Sequence, residues 1–430
     1  MKKLFFIFVL LSFCPFVPGL AATLISDTEI EHVMSELVAP LGRAADVRLR
    51  VHIVDDDDFN AFVSGGEDVF INSGTIMRVK NPSALQAIVA HELGHMAGGH
   101  IAQMSAKIRA AGRGSMIVQA LGLAMVAVNP AAAMGVMAGA AGVMRTEMMS
   151  FSRDEERQAD NYGIELMQRA KQDATAFIEV MKLMNDMAGA AESRRNTFNA
   201  SHPDTSERLQ NVREKLKDYR PSSVVHRPSY DLIRAKIIGY LGNQTLVTSE
   251  YPNRDTSAPA LYARAIAMMR GGDLDGARAG ARALISRDAA NPYFYELLGD
   301  IEYQSGHYDD SVDAYDAALE KIKIPGPQIQ SALGLVLAER NKSGDADRAI
   351  EMAKRSILSE PSPLAYMVLG RAEKSRGNDG ISNWALAEYF EGTGDKRQAR
   401  DFARRAMKQL NKSAPEYIKS QDILDRLSEQ

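Results

Sequence analysis

His91-Glu92-Leu93-Gly94-His95 is the stretch from which both the fold and the chemistry of this chain can be inferred. On a helix the two histidines are four residues apart, so both side chains lie on one face and can bind a single metal ion. Glu92 lies beside them, where a carboxylate can take a proton from a metal-bound water. The stretch therefore predicts two metal ligands and a general base.

The residues before the motif predict a helix. Asn81-Pro82 is typical of a helix start, with asparagine as the cap and proline in the first helical position. Apolar residues then recur at helical spacing, at Leu85, Ile88, Val89 and Met96. The two histidines are thus expected on a helix that begins near residue 82.

A catalytic zinc site needs a third protein ligand and an open position for water. His100 is one candidate, but it falls one residue short of the spacing of the pattern that uses a third histidine. On a helix continuing past His95, the side chain of His100 would point well away from the two ligand histidines. His100 is therefore not the preferred third ligand.

Glu156 is the preferred third ligand. The stretch 152–160 is typical of a second helix, on which Glu156 and Asp160 are four residues apart and share a face. Asp160 is expected to accept a hydrogen bond from a ligand histidine and so fix its tautomer. Glu155 is the alternative ligand, although it would not face the same way as Asp160. An exposed acidic helix start is the alternative to a metal site, since acidic residues favour the first turn.

These motifs resemble the CAAX-prenyl-protease/HtpX type of gluzincin metallopeptidase. The two helix motifs carry the resemblance, and residues 60–66 and 69–74 are similar to a strand pair that precedes the metal helix in that family. Ser201-His202-Pro203, with Arg208 after it, is similar to a family motif near the metal. The resemblance covers roughly residues 45–215 and implies a zincin-like metalloprotease domain that binds one Zn²⁺ through His91, His95 and Glu156.

The roles of His202, Arg208 and one strand stay open at this point. His202 could stabilise the oxyanion of the transition state, cap the metal, or be a turn residue before Pro203. Arg208 could pair with a carboxylate near the site or lie on the surface. The strand Val69 to Asn72 could bind an extended substrate through its backbone or be an ordinary edge strand.

The first 22 residues are typical of a secretory signal peptide, with a positive start, an apolar run over 4–13 and small residues before the cut after Ala22. Cleavage would remove Cys14, the only cysteine, so the mature chain would need no disulfide. It would also remove Lys2 and Lys3, which takes the formal net charge from −4 to −6. We therefore expect a periplasmic protein that does not bind nucleic acid.

The carboxy-terminal part predicts tetratricopeptide repeats. Gly272-Asp273-Leu274 and Gly306-His307-Tyr308 are 34 residues apart, which is the period of that repeat. Similar turn and small residues indicate a third unit and a less regular fourth, at Gly344, Ala349, Ala353 and Pro361, and at Gly370, Gly394, Ala399, Ala403 and Ala406. Stacked helix pairs of this kind form a concave surface for a protein partner.

The chain is thus expected to be mainly α with a small β-sheet, a metalloprotease domain followed by an α-solenoid. The expected divisions are the signal peptide 1–22, a metallopeptidase domain 23–220, a linker 221–255 and repeats 256–430. The apolar segment 116–144, broken at Asn129-Pro130, is expected to form two short helices that are buried or touch a membrane surface. A membrane-spanning helix is the alternative.

Three functions are consistent with the sequence. The first is a periplasmic zinc endopeptidase acting on unfolded or misassembled proteins; the resemblance implies a role in the quality control of outer-membrane β-barrel proteins, with the repeats docking on their assembly complex. The second is a repeat-based chaperone or scaffold with a capped, latent site. The third is an integral membrane protease anchored through residues 116–144.

Overall fold

The computed structural model describes residues 23–100, 103, 151–189, 202, 205–221 and 227–428. The predicted signal peptide, the segment 116–144, and the residues Ser201 and Pro203 lie outside these ranges. The chain divides into two compact units, with the boundary between Ile237 and Ile238. We call residues 29–237, together with the strand Thr23–Ile25, the amino-terminal unit, and residues from 238 onward, together with 26–28, the carboxy-terminal unit.

The described part of the amino-terminal unit contains a small sheet and several helices. The strands are β1 (Thr23–Ile25), β2 (Arg50–Asp55), β3 (Ala61–Ser64) and β4 (Asp68–Asn72). The helices are α1 (Thr28–Ala45), α2 (Ser73–Arg78), α3 (Pro82–Ala97), α4 (Arg153–Arg169), α5 (Ala176–Gly189), α6 (Thr205–Leu216) and α7 (Pro228–Leu241), the last of which contains the unit boundary.

The sheet has the strand order β1-β2-β4-β3. β1 is antiparallel to β2, β2 is parallel to β4, and β3 is antiparallel to β4. The expectation that Val69 to Asn72 forms an edge strand is therefore wrong. β4 is paired on both sides and all five of its residues are buried, as its unbroken apolar core Val-Phe-Ile would suggest. The edge strands of this sheet are β1 and β3, and β3 contacts α3.

The predicted metal helix is α3, and its start is confirmed. The side chain of Asn81 accepts a hydrogen bond from the backbone of Ser83, and Pro82 takes the first helical position. Every residue from Ser83 to His95 is buried, so the helix lies inside the unit rather than on its surface. The helix ends at Ala97, because Gly98 caps it and Gly99 adopts a left-handed backbone with a φ of 69°.

Helices α3 and α4 approach closely at two glycines. A Cβ atom on Gly94 would lie 2.6 Å from the carbonyl oxygen of Ala159 and 2.7 Å from its Cα. A Cβ atom on Gly163 would lie 2.6 Å from the ring of Phe177 and 3.0 Å from the backbone of Ala90. The absence of side chains at both positions therefore sets the distance between the two helices that carry the predicted ligands.

The carboxy-terminal unit is built from successive helices. They are α8 (Gln244–Glu250), α9 (Ala258–Arg270), α10 (Leu274–Arg287), α11 (Pro292–Gln304), α12 (Tyr308–Lys321), α13 (Pro327–Arg340), α14 (Asp345–Ser359), α15 (Pro363–Ser375), α16 (Asp379–Gly392), α17 (Lys396–Gln409) and α18 (Pro415–Ser428). Together with the small sheet of the other unit, they confirm the expected fold class.

Small residues set the contacts between these helices, as the repeat pattern predicts. Ala277, Ala281, Ala349 and Ala353 are fully buried. A Cβ atom on Gly299 would lie 2.8 Å from the ring of Tyr315. The packing of paired helices therefore depends on positions that carry little or no side chain.

The later repeats differ in detail from the sequence expectation. Gly377, with a φ of 78°, lies in the turn between α15 and α16, a position that the sequence pattern did not single out. Gly394 lies in the next turn, before α17. The expected linker 221–255 contains all of α7 and all of α8. The expected division of the chain into domains stays a prediction. Of the helices in the described ranges, none combines the length and the apolar character needed to cross a membrane.

We expect Gly94→Ala to destabilise the amino-terminal unit. Overpacking against the Ala159 backbone costs ~1–3 kcal/mol, which exceeds the ~0.5–1 kcal/mol that alanine gains over glycine inside a helix. Denaturant unfolding of the metal-free protein, followed by circular dichroism, measures the loss. The fluorescence of Trp384, the lone tryptophan, follows the carboxy-terminal unit and should not change.

Gly271→Ala is the matched control. Gly271 has a right-handed backbone, with a φ of −78°, and the nearest atom to its added Cβ is 3.3 Å away. Equal stability losses for the two variants would contradict the assigned role of Gly94.

Candidate metal centre

Four buried side chains from distant parts of the sequence converge in the amino-terminal unit. They are His91 and His95 of α3, Glu156 of α4, and His202. One potential ligand atom from each lies within 4.8 Å of the others. The exposed fractions are 4% or less in every case, so the four polar groups meet in a site shielded from water.

The distances between these atoms fit a zinc ion. In a tetrahedral site with zinc–nitrogen bonds of ~2.0–2.1 Å, the ligand atoms lie about 3.3–3.4 Å from one another. The Nε2 atoms of His91 and His95 are 3.0 Å apart. The carboxylate of Glu156 faces both of them, with Oε2 lying 3.5 Å from Nε2 of His91 and Oε1 lying 3.5 Å from Nε2 of His95. The donor set of two imidazoles and one carboxylate is also one that catalytic zinc prefers. Among the possible third ligands, the geometry thus favours Glu156.

Asp160 and Arg208 contact the cluster directly. An oxygen of Asp160 lies 2.9 Å from Nδ1 of His91, so the opposite nitrogen of that ring is directed toward the other ligands. Arg208 donates two hydrogen bonds of 2.8 Å to the two oxygens of Asp160. Its third nitrogen lies 2.5 Å from Glu156. Arg208 is 5% exposed, which excludes the surface alternative.

The charges of these groups shift their protonation equilibria. Burial alone would raise the pKa of Asp160, but Arg208 and His91 hold that pKa at about 2. Burial would likewise raise the pKa of Glu156, yet His202, His95 and Arg208 bring it well below its ordinary value. Burial lowers the pKa of His95 to about 3, and the nearby rings of His91 and His202 add to the effect. These shifts favour the ionised form of Glu156 and the neutral form of His95, which are the forms that bind a metal ion.

Glu92 faces the same site. It is 3% exposed, and its carboxylate lies 3.7 Å from Nε2 of His202. Burial raises the pKa of Glu92, which brings the carboxyl closer to the range in which a group both accepts and returns a proton.

Nδ1 of His202 lies 2.7 Å from Glu156 and 3.3 Å from Nε2 of His91. His202 thus joins the ligand cluster. A role as a turn residue alone does not account for this buried position.

The sequence misplaced one residue beside His95, which is His100, and gave no sign of another, Phe151. His100 does not point away, because the helix ends at Ala97; its Nδ1 lies 3.1 Å from Nδ1 of His95. The pair Gly98-Gly99 was the available signal, since consecutive glycines favour a helix end. Phe151 stacks on the His95 ring with a centroid distance of 3.8 Å, and no sequence pattern marked it. Glu155, the alternative ligand, instead caps α4 together with Ser152.

We expect Asp160→Asn to weaken zinc binding by ~10–100-fold, because His91 loses the carboxylate that orients it. Competition with a chelator of known affinity measures the dissociation constant. Asp154→Asn, on the exposed face of the same helix, is the matched control and should bind zinc as the wild type does. Unchanged affinity in Asp160→Asn would contradict the orienting role.

Comparisons with known proteins agree with this geometry. Residues 25–216 match the model of peptidase family M48, whose members are zinc-dependent, and residues 262–328 match a tetratricopeptide repeat model. The chain is 25% identical over 427 residues to the beta-barrel assembly-enhancing protease of Escherichia coli (strain K12), covering 93% of this chain and 87% of that protein. The protein of the same name from Yersinia pestis is 22% identical over 370 residues, covering 84% of this chain and 75% of that protein. A mitochondrial metalloendopeptidase of Schizosaccharomyces pombe is 28% identical over 202 residues, 47% of this chain and 55% of that protein. The chain therefore carries a zinc metallopeptidase domain of family M48, followed by tetratricopeptide repeats.

Proposed function

We propose that this chain is a periplasmic endopeptidase that hydrolyses peptide bonds of unfolded or misassembled outer-membrane proteins. The buried cluster of His91, His95 and Glu156, with Glu92 beside it, is the observation that carries the proposal. The relatives named as beta-barrel assembly-enhancing proteases support the substrate class, because the similarity covers both the peptidase domain and the repeats.

The reaction divides between the metal and the side chains around it. We assign His91, His95 and Glu156 as the residues that hold one Zn²⁺. When bound, zinc acts as a Lewis acid that polarises the peptide carbonyl and makes water more acidic. Glu92 takes the proton from the attacking water and returns it to the leaving amine. Asp160 and Arg208 keep the ligands oriented and balance their charge.

The edge strand β3 is the proposed substrate-binding strand. It pairs with β4 on one side, and within the described ranges no strand pairs with its other side. It also lies against the metal helix. An extended peptide that adds to this edge is held through its backbone, which imposes little preference for sequence. Such a mode suits an enzyme whose substrates are unfolded chains.

The location and the partners follow from the two ends of the chain. Residues 1–22 are proposed to direct export to the periplasm, and their removal would leave a chain without cysteine. The repeats are proposed to bind protein substrates or an outer-membrane β-barrel assembly complex, since helical repeats form extended surfaces for proteins. Contact of the segment 116–144 with a membrane surface also stays a prediction.

We expect Glu92→Gln to keep its zinc and to lose ~10²–10⁴-fold in peptide hydrolysis, because the base is lost while the ligands remain. Digestion of a misfolded outer-membrane protein measures the rate, and a chelator should abolish it in the wild type. Glu165→Gln, at an exposed position on α4, is the matched control with normal activity. Cleavage by Glu92→Gln at the wild-type rate would refute the base, and chelator-resistant cleavage would refute the metalloprotease.

The position of His202 favours a second candidate, a chaperone or scaffold whose protease site is latent. Its Nδ1 lies near His91 and Glu156, where it supplies the cluster with a fourth ligand atom. Four protein ligands leave no open position on a tetrahedral zinc ion, so a site closed in this way is inactive. In that case the repeats perform the main function, and His202 must move before a substrate is cleaved.

The variant His202→Ala separates these roles. If His202 caps the metal, basal proteolysis should rise above the wild-type rate, because a coordination position opens. If it stabilises the oxyanion, the rate should fall by ~10²–10³-fold, as with the loss of other oxyanion donors. The measurement is the initial rate of cleavage at equal zinc occupancy, and an unchanged rate would leave His202 without either role.

A further inference from the structure

As a metal ligand, His95 needs a hydrogen-bond acceptor for the ring nitrogen that does not bind the metal. In a neutral imidazole one ring nitrogen carries the proton and the other has the free lone pair. Because Nε2 of His95 faces the ligand cluster, its Nδ1 must carry the proton when a metal is bound. The ring is fully buried, so this N–H group needs an acceptor from the protein.

His100 lies where such an acceptor is needed. It is 2% exposed, and its Nδ1 is 3.1 Å from Nδ1 of His95. We propose that His100 is a positioning residue that accepts the hydrogen bond from His95 and fixes the tautomer in which His95 binds zinc. His91 receives the corresponding support from Asp160, at 2.9 Å from its Nδ1. The two ligand histidines are thus oriented by chemically different groups, a carboxylate and an imidazole.

Gly98 supplies a second, independent reason for this assignment. A Cβ atom on Gly98 would lie 2.4 Å from Nε2 of His100 and 2.6 Å from its Cε1. The backbone of Gly98 has a φ of −73°, which any residue adopts without strain. Glycine is therefore needed here for the ring of His100 and not for the backbone. The end of the metal helix is shaped so that this ring folds back against His95.

The inference rests on the proposed metal site, so the test measures metal binding itself. In the full chain, His100→Phe keeps a ring but removes the acceptor, and we expect the zinc dissociation constant to rise by ~10–100-fold. His100→Asn keeps an acceptor oxygen at a comparable position and should bind zinc nearly as the wild type does. The absorption spectrum of the cobalt-substituted protein should change in His100→Phe and recover in His100→Asn.

Gly98→Ala tests the same contact without changing His100. The added methyl group displaces the His100 ring, so zinc affinity should fall in the same direction as in His100→Phe. His32→Phe, at a partly exposed position of α1, is the control for a histidine replaced by phenylalanine outside the cluster. Its zinc affinity should equal that of the wild type.

The outcomes distinguish this inference from the proposed function. A wild-type chain that binds no zinc would overturn both. Tight binding by the wild type and by His100→Phe alike would overturn the role of His100 alone, as would equal losses in His100→Phe and His100→Asn. If His100→Phe does not fold, Gly98→Ala decides, because wild-type affinity in that variant would overturn the assignment.

Discussion

The metal centre depends on the balance of charge in a site from which water is excluded. Three carboxylates, from Glu92, Glu156 and Asp160, lie there almost fully buried with one guanidinium, that of Arg208. Ionised together, these described groups leave an excess of two negative charges, which burial alone would make very costly. A bound divalent cation removes that excess. A cation is therefore favoured at this site by electrostatics as well as by the chemistry, and Arg208 offsets part of the negative charge by contacting Glu156 and Asp160 at once.

The two helices that carry these carboxylates approach each other closely. α3 carries Glu92 and two ligands, and α4 carries Glu156 and Asp160. With Gly94 and Gly163 at the contact, each helix backbone meets its neighbour without an intervening side chain. Gly94, one of the two variable positions in the metal motif, is thus constrained by packing. The same residues that set the helix spacing set the distances between the ligand atoms, so packing and chemistry cannot be varied independently here.

The sequence predicted the groups whose spacing is periodic and missed those placed by tertiary contacts. His91, His95, Glu156 and Asp160 follow helical spacing within two motifs, and the structure brings all four together. The buried position of Arg208 depends on how α6 packs, and no local pattern encodes it. Taking Val69 to Asn72 as an edge strand failed because pairing partners are set by sheet topology. His100 was misjudged because a helix was extended past Gly98-Gly99, and Phe151 has no periodic signal at all.

The proposed mode of substrate binding also explains why a closed resting site would be useful. Recognition through the backbone at the edge of β3 discriminates poorly between sequences, because every peptide offers the same hydrogen-bonding groups. In such an enzyme the binding strand excludes folded or correctly assembled proteins only because they lack an extended segment that could pair with it. Control must then act on access to the metal, where His202 lies, or on delivery of the substrate, for which the repeats offer a surface. A site that opens only when a suitable chain is present meets the first requirement by moving His202 alone, while His91, His95 and Glu156 stay in place.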